Sequence, residues 1–159
     1  MNPTRRDALV TIAALATTAS AEAQQTPFLT TPELAWLSAF VDVMIPRTDT
    51  PGASDAGVPT FIDRRLAANP ALAESFRAGR KALDEDAKAK FGAPFPSLTL
   101  AQQTELLTPM EKDPFFRMMK GLTIDGYYTS RAGLTQELGW HGNTFLMEFP
   151  GCDHPEHQA

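Results

Sequence analysis

The densest group of potential metal ligands is the run Cys152-Asp153-His154-Pro155-Glu156-His157. A thiolate and two imidazoles, from Cys152, His154 and His157, have the chemistry that binds Zn²⁺ or copper. A structural zinc site needs four ligands, however, and Pro155 interrupts the run, which disfavours a preformed site. The pattern therefore gives a weak metal-binding hypothesis, and a solvated polar tail is the simpler interpretation.

Cys152 is the only cysteine of the chain. One cysteine excludes an internal disulfide and any four-cysteine zinc or iron–sulfur site. In an oxidising compartment a lone thiol is free, buried or joined to another chain. Because Cys152 follows an apolar stretch from Phe145 to Pro150, a disulfide to a second subunit is one hypothesis, and a packed free thiol is the other.

Motifs that carry catalysis or bind cofactors are missing from the sequence. There is no Gly-x-Ser-x-Gly, His-Glu-x-x-His, Gly-x-Gly-x-x-Gly, P-loop or Cys-x-x-Cys-His. His141 has no recognisable nucleophile or carboxylate partner, and the acidic loop around Asp49 and Asp55 lacks the ligand spacing of an EF-hand. We therefore predict that this chain is not an enzyme by itself and has neither catalytic residues nor a bound cofactor.

The composition is that of one small globular domain. The 159 residues carry a net charge of −5, with 43% hydrophobic and 21% charged side chains, which excludes disorder throughout the chain. An acidic chain without a basic stripe is not expected to bind nucleic acid. No apolar run approaches the roughly 20 residues of a membrane-spanning helix, so no stable membrane span is expected.

Residues 1–23 have the pattern of an export signal. Arg5 and Arg6 precede a moderately hydrophobic stretch from Ala8 to Ala21, and Ala21-Glu22-Ala23 fits an A-x-A cleavage site. Together with Leu9, the arginine pair is typical of a twin-arginine signal, whereas an ordinary secretory signal is the alternative. The sequence thus predicts a periplasmic protein exported on the route for folded proteins. It would use that route either because it folds fast or because it travels with a cofactor-loaded partner.

The rest of the chain predicts an all-α fold. We expect a single small domain of about five to six helices over residues 24–139, followed by an extended C-terminal arm over residues 140–159. Strand signals are nearly absent, while helix-capping residues recur. The predicted helices begin at or next to Thr31, Pro59, Asn69, Thr99, Asp113 and Ala132.

Two of these helices carry expectations about burial. The helix after Asp113 is apolar on most sides, so we expect it to be central. The charged run from Arg80 to Lys88, including Asp84, is typical of a solvated helix face with local charge pairs.

Two segments together are similar to one known family. The first runs from Ile45 to Asp63 and contains Pro46-Arg47-Thr48-Asp49-Thr50-Pro51-Gly52. The second contains Gly126-Tyr127-Tyr128-Thr129-Ser130, then Glu137-Leu138-Gly139-Trp140, and ends in Phe149-Pro150-Gly151-Cys152-Asp153-His154-Pro155-Glu156-His157. In these residues, from about Leu34 to His157, the chain resembles the gluconate 2-dehydrogenase subunit 3 family.

The resemblance implies the non-catalytic small subunit of a periplasmic FAD-dependent sugar dehydrogenase, of the gluconate 2-dehydrogenase or glucoside 3-dehydrogenase type. It implies a flavoprotein large subunit of the glucose–methanol–choline type that holds the FAD, and a partner c-type cytochrome that holds haem c. The small subunit would bind the large subunit and assist its folding and its twin-arginine co-export.

The two segments that carry the resemblance are expected either to contact that partner or to build local structure. The expected interface residues are Tyr127, Tyr128, Trp140, Phe149, Pro150, Gly151, Cys152 and His154, with Cys152 as the candidate for an inter-subunit disulfide. Two alternatives remain: an envelope interaction or scaffold module without a redox partner, and a small metal-binding protein that uses Cys152, His154 and His157. A neighbouring gene for a flavoprotein without its own export signal would favour the dehydrogenase subunit.

Overall fold

A computed structural model describes residues 27–142 of the protein. This part contains five α-helices, two 3₁₀ turns and a short π-helix but no strand, which confirms the predicted all-α fold. The elements are α1 (Thr31–Met44), α2 (Val58–Ala68), α3 (Pro70–Phe91), α4 (Leu100–Leu107), α5 (Pro114–Tyr128), 3₁₀ turns at Phe95–Ser97 and Thr108–Met110, and the π-helix at Gly133–Glu137. None of the helices described here is long and apolar enough to cross a membrane.

Local capping chemistry sets most helix boundaries. The side chains of Asn69, Thr99 and Asp113 each accept a hydrogen bond from a backbone N–H of the first helical turn, as their sequence positions predict. Helix α1 differs by one residue, because its N-cap is Thr30 and not the predicted Thr31. Glu33 follows Thr30 by three residues and completes a capping box, which fixes the earlier start.

The helix at the centre of the core is α1, not the predicted α5. Trp36 of α1 is almost fully buried, and its ring stacks on Phe40 with 5.4 Å between ring centroids. The centroid of the Trp36 ring lies 5.9 Å from the ring centroid of Phe76 in α3 and 5.5 Å from that of Phe95 in the first 3₁₀ turn. Helix α5 buries one face only and leaves Ile124 exposed. The aromatic side chains of α1 therefore join elements that are distant in sequence.

Asp84 of α3 lies at the rim of this aromatic cluster and not on the solvated face that the sequence predicts. Its Oδ1 accepts a hydrogen bond from Trp36 Nε1 at 2.9 Å and another from Phe95 N at 3.1 Å. A buried indole N–H needs a partner, and the carboxylate supplies it. One charged side chain thus connects α1, α3 and the 3₁₀ turn.

Residues 28–33 are held against the domain by two further carboxylates. Asp63 of α2 accepts hydrogen bonds from Phe28 N at 3.1 Å and Leu29 N at 2.7 Å. Glu33 accepts from the N–H and hydroxyl of Thr30 and from Arg77 Nε at 3.3 Å. Burial raises the pKa of Glu33, but the hydrogen bonds from Thr30 and Arg77 and the guanidinium charge outweigh it, so its pKa lies below the ordinary 4.5.

We predict that Asp84→Ala destabilises the domain by about 1–3 kcal/mol, because the substitution leaves two N–H donors without their acceptor. Urea unfolding followed by tryptophan fluorescence measures this loss. The matched control is Asp86→Ala, an exposed carboxylate on the same helix, which should change the free energy of unfolding by no more than about 0.5 kcal/mol. Equal losses in the two variants would contradict the structural role of Asp84.

Glu33 should make stability depend on pH in the acid range. A folded-state pKa below the unfolded value stabilises the fold above pH 4.5, and this contribution is lost as the pH falls through the folded pKa. We therefore expect Glu33→Gln to be less stable than the wild type at pH 7 and to lose less stability on acidification. Urea unfolding at a series of pH values tests this, with exposed Glu74→Gln as the control. Parallel curves for wild type and Glu33→Gln would refute it.

Candidate functional site

The loop between α1 and α2 is folded onto α1 by its own side chains. Asp42 of α1 accepts hydrogen bonds from Ser54 N at 2.8 Å and from Ser54 Oγ at 2.6 Å. Gly52 allows the loop to close, because a Cβ at this position would lie 2.9 Å from Arg47 N. The loop of residues 46–57 therefore has a defined path and is not simply a spacer.

The second carboxylate of this loop is also occupied by the protein. Asp55 accepts a hydrogen bond from Gly52 N at 3.1 Å and forms an ion pair with Arg47. Through these two contacts Asp55 stabilises the turn at Gly52 and holds Arg47 against the loop. The side chains at the loop tip, Arg47, Thr48 and Asp49, are exposed.

Helix α5 holds the other side of the loop through Tyr127. The Tyr127 side chain is buried, with 1% of its surface exposed, and its hydroxyl donates a hydrogen bond to the Pro51 carbonyl at 2.8 Å. The sequence placed Tyr127 in a partner interface, but its ring faces the core and presents no surface to another protein. The buried position of Tyr127 contradicts its assignment to the interface. Its hydroxyl instead connects α5 to the loop.

The π-helix packs against the end of α5 and reaches the same loop. A Cβ on Gly133 would lie 2.1 Å from the Tyr127 carbonyl oxygen, so only glycine allows this approach. At the other end of the π-helix, Thr50 Oγ1 donates a hydrogen bond to Glu137 Oε2 at 2.7 Å. The loop, the end of α5 and the π-helix therefore meet at one end of the domain.

Large apolar side chains are exposed in this region. Tyr128 follows Ile124 by one helical turn on α5, and Leu138 and Trp140 follow the π-helix. The exposed fractions are 41% for Ile124, 38% for Tyr128, 59% for Leu138 and 48% for Trp140. We call these four residues the docking face. Exposed aromatic and aliphatic side chains of this size are frequent at protein-binding surfaces.

Of the interface residues expected from the sequence, Tyr128 and Trp140 lie on the docking face. Sequence reasoning missed Ile124 and Leu138, although the four-residue spacing of Ile124 and Tyr128 was a readable signal. The remaining expected residues, Phe149, Pro150, Gly151, Cys152 and His154, lie outside the described part of the chain. The same holds for the export-signal residues Arg5, Arg6 and Leu9.

No metal-binding cluster can be assigned from the structure. Between residues 27 and 142, no three His, Cys, Asp or Glu side chains come together in a way that could hold a metal ion. The metal candidates Cys152, His154 and His157 fall beyond these residues, so that hypothesis stays a prediction. Among the described elements, the exposed apolar side chains of the docking face are the candidate for contact with another protein.

Comparison with protein families supports the sequence resemblance. The family model for gluconate 2-dehydrogenase subunit 3 matches residues 31–151. The chain belongs to the gluconate 2-dehydrogenase subunit 3 family. No curated protein and no solved structure matches the chain. The family match begins with α1, includes the loop and the docking face, and ends one residue before Cys152, so the family assignment does not depend on that thiol.

We predict that Tyr127→Phe loosens the loop of this subunit-3 protein without changing the fold. The substitution keeps the buried ring and leaves the Pro51 carbonyl without its donor, which should cost about 1 kcal/mol. Hydrogen exchange of the loop amides and urea unfolding measure the two effects. Tyr128→Phe is the matched control, because its exposed side chain has no hydrogen bond within residues 27–142. Loop exchange as slow as in the wild type would contradict the role of the Tyr127 hydroxyl.

Proposed function

We propose that this protein is the non-catalytic small subunit of a periplasmic FAD-dependent sugar dehydrogenase and that it binds the flavoprotein large subunit. The observation that carries the proposal is the family match over residues 31–151, because the family is that of a dehydrogenase subunit. The docking face adds a physical reason, since a chain with these exposed apolar side chains gains stability by covering them.

The docking face has the composition of an interface core. Aromatic residues contribute large contact areas at protein interfaces and are frequent among their energetic hot spots. Tyr128 and Trp140 supply two such side chains, and hydrogen bonds at Thr50 and Pro51 hold the loop to the π-helix and to α5. A fixed surface loses little conformational entropy on association, which favours binding of a folded partner.

The redox cofactors belong to the partners in this proposal. The large subunit is a flavoprotein of the glucose–methanol–choline type that holds FAD, and a c-type cytochrome with haem c accepts the electrons. The substrate is a sugar or sugar acid, of the gluconate 2-dehydrogenase or glucoside 3-dehydrogenase type. This chain contributes binding and assistance in folding in the proposal, and its sequence has none of the motifs of a flavin or haem site.

Export to the periplasm is the second part of the proposed role. Arg5, Arg6 and Leu9 form the twin-arginine signal, and cleavage after Ala23 leaves residues 24–27 before Phe28. Because Asp63 holds the N–H of Phe28, only this short linker separates the proposed signal from the folded domain. A bound large subunit would be exported with it.

Cys152 gives a covalent connection in the same proposal. It follows the apolar residues Phe149 and Pro150 of the arm, and the periplasm is oxidising. A disulfide between Cys152 and a cysteine of the large subunit would keep the arm on the partner after export. His154 lies two residues further on and belongs to the same proposed contact region.

The export role is tested with Arg5→Lys/Arg6→Lys in cells that also express the large subunit. We expect both chains to remain in the cytoplasm, because the large subunit depends on the signal of this chain. The measurement is the periplasmic fraction of each chain and its dehydrogenase activity. Arg64→Lys/Arg65→Lys, a second adjacent arginine pair in the folded domain, is the matched control and should export normally.

Two outcomes would refute parts of the proposal separately. If the large subunit reaches the periplasm while this chain stays behind, the co-export role is wrong. If the two chains never co-purify, the envelope scaffold is the better function.

A further inference from the structure

A groove of about 440 Å³ lies between α2 and the C-terminal end of α5. Its walls include Phe61, Arg64 and Arg65 of α2 and Gly126, Thr129 and Ser130 beside α5. Gly126 permits the close approach of the two helices, because a Cβ there would lie 2.8 Å from the Phe61 ring. The groove is on a different side of α5 from Ile124 and Tyr128 and is not part of the docking face.

The groove is positively charged although the whole protein is acidic. Arg64 and Arg65 are exposed, and neither forms an ion pair with a residue between 27 and 142. No carboxylate lines the groove, whose remaining walls are small residues and Thr60. The Arg65 guanidinium lies 5.1 Å from the centre of the Phe61 ring, which keeps it beside the groove. This chemistry fits an extended acidic peptide.

The chain itself contains such a peptide. Residues 143–159 hold three carboxylates, Glu148, Asp153 and Glu156, and no Lys or Arg. These residues also include the apolar side chains of Phe145 and Phe149, which suit the Phe61 wall. Composition and charge of the arm therefore complement the groove.

The arm also starts beside the groove. Trp140 N donates to the Leu134 carbonyl at 2.8 Å, and Leu134 N donates to the Ser130 carbonyl at 3.0 Å. Ser130 lines the groove, so two hydrogen bonds connect the root of the arm to the groove wall. A stretch from residue 143 to residue 159 can extend over about 55 Å, which is ample for a groove between two helices.

We propose that, in the subunit without its partner, the acidic C-terminal arm of residues 143–159 binds in the α2–α5 groove with its carboxylates against Arg64 and Arg65. The arm then lies on its own domain and keeps its apolar side chains away from other molecules. This inference concerns the free subunit alone, so it can fail while the proposed function stands, and the reverse is also true.

The single thiol makes the test specific. A nitroxide attached to Cys152 in the isotopically labelled full chain broadens the NMR signals of amides that come near it. We expect broadening of Thr60, Arg64 and Thr129 amides in 0.1 M salt and its loss in 1 M salt, because the screening length falls from about 10 Å to about 3 Å. Arg64→Glu/Arg65→Glu should remove the broadening, and Asp153→Asn/Glu156→Gln should weaken it.

The control is Lys81→Glu/Lys88→Glu on the exposed face of α3, which reverses the same number of charges and should leave the broadening unchanged. An unchanged chemical-shift dispersion of the amide NMR signals in every variant shows that the domain is folded. Absence of broadening in the wild type overturns the proposal, as does broadening that survives Arg64→Glu/Arg65→Glu. Broadening seen only between a spin-labelled copy and an isotope-labelled copy would overturn it in favour of a second copy as the occupant.

Discussion

The hydrogen bond from the Tyr127 hydroxyl to the Pro51 carbonyl joins the elements that build one end of the domain. A buried phenol needs an acceptor, and this acceptor lies on the loop between α1 and α2. The carbonyl of Tyr127 in turn sets how closely Gly133 can approach, and hence where the π-helix lies. One residue of α5 thus fixes the loop on one side and the π-helix on the other.

This arrangement explains why the two segments that resemble the family belong together in space. The loop of the first segment and the end of α5 in the second are 76 residues apart at the Tyr127–Pro51 contact. The hydrogen bond between Thr50 and Glu137 joins them again across 87 residues. Their residue types are those needed to build one end of the domain. Tyr128, Leu138 and Trp140 are exposed at or next to that end.

Local features of the fold could be predicted from the sequence, whereas contacts between distant elements could not. The caps at Asn69, Thr99 and Asp113 depend on neighbours within three residues, so their chemistry is visible in the sequence. Asp84 looked like part of a charged face because its partners, Trp36 and the N–H of Phe95, come from other elements. Tyr127 looked like an interface residue for the same reason, since nothing in its local sequence shows that it is buried.

The central claim is that this subunit-3 chain forms a complex with a flavoprotein. The experiment is to co-express the full chain with a flavoprotein of the glucose–methanol–choline type from the same genome, purify through a tag on the flavoprotein without reductant, and record the visible spectrum and a non-reducing gel. We expect a yellow complex that contains both chains. If Cys152 forms a disulfide to the flavoprotein, the non-reducing gel shows a high-mass band that splits into the two chains on reduction. A yellow flavoprotein that purifies without this chain would show that the two do not form a complex.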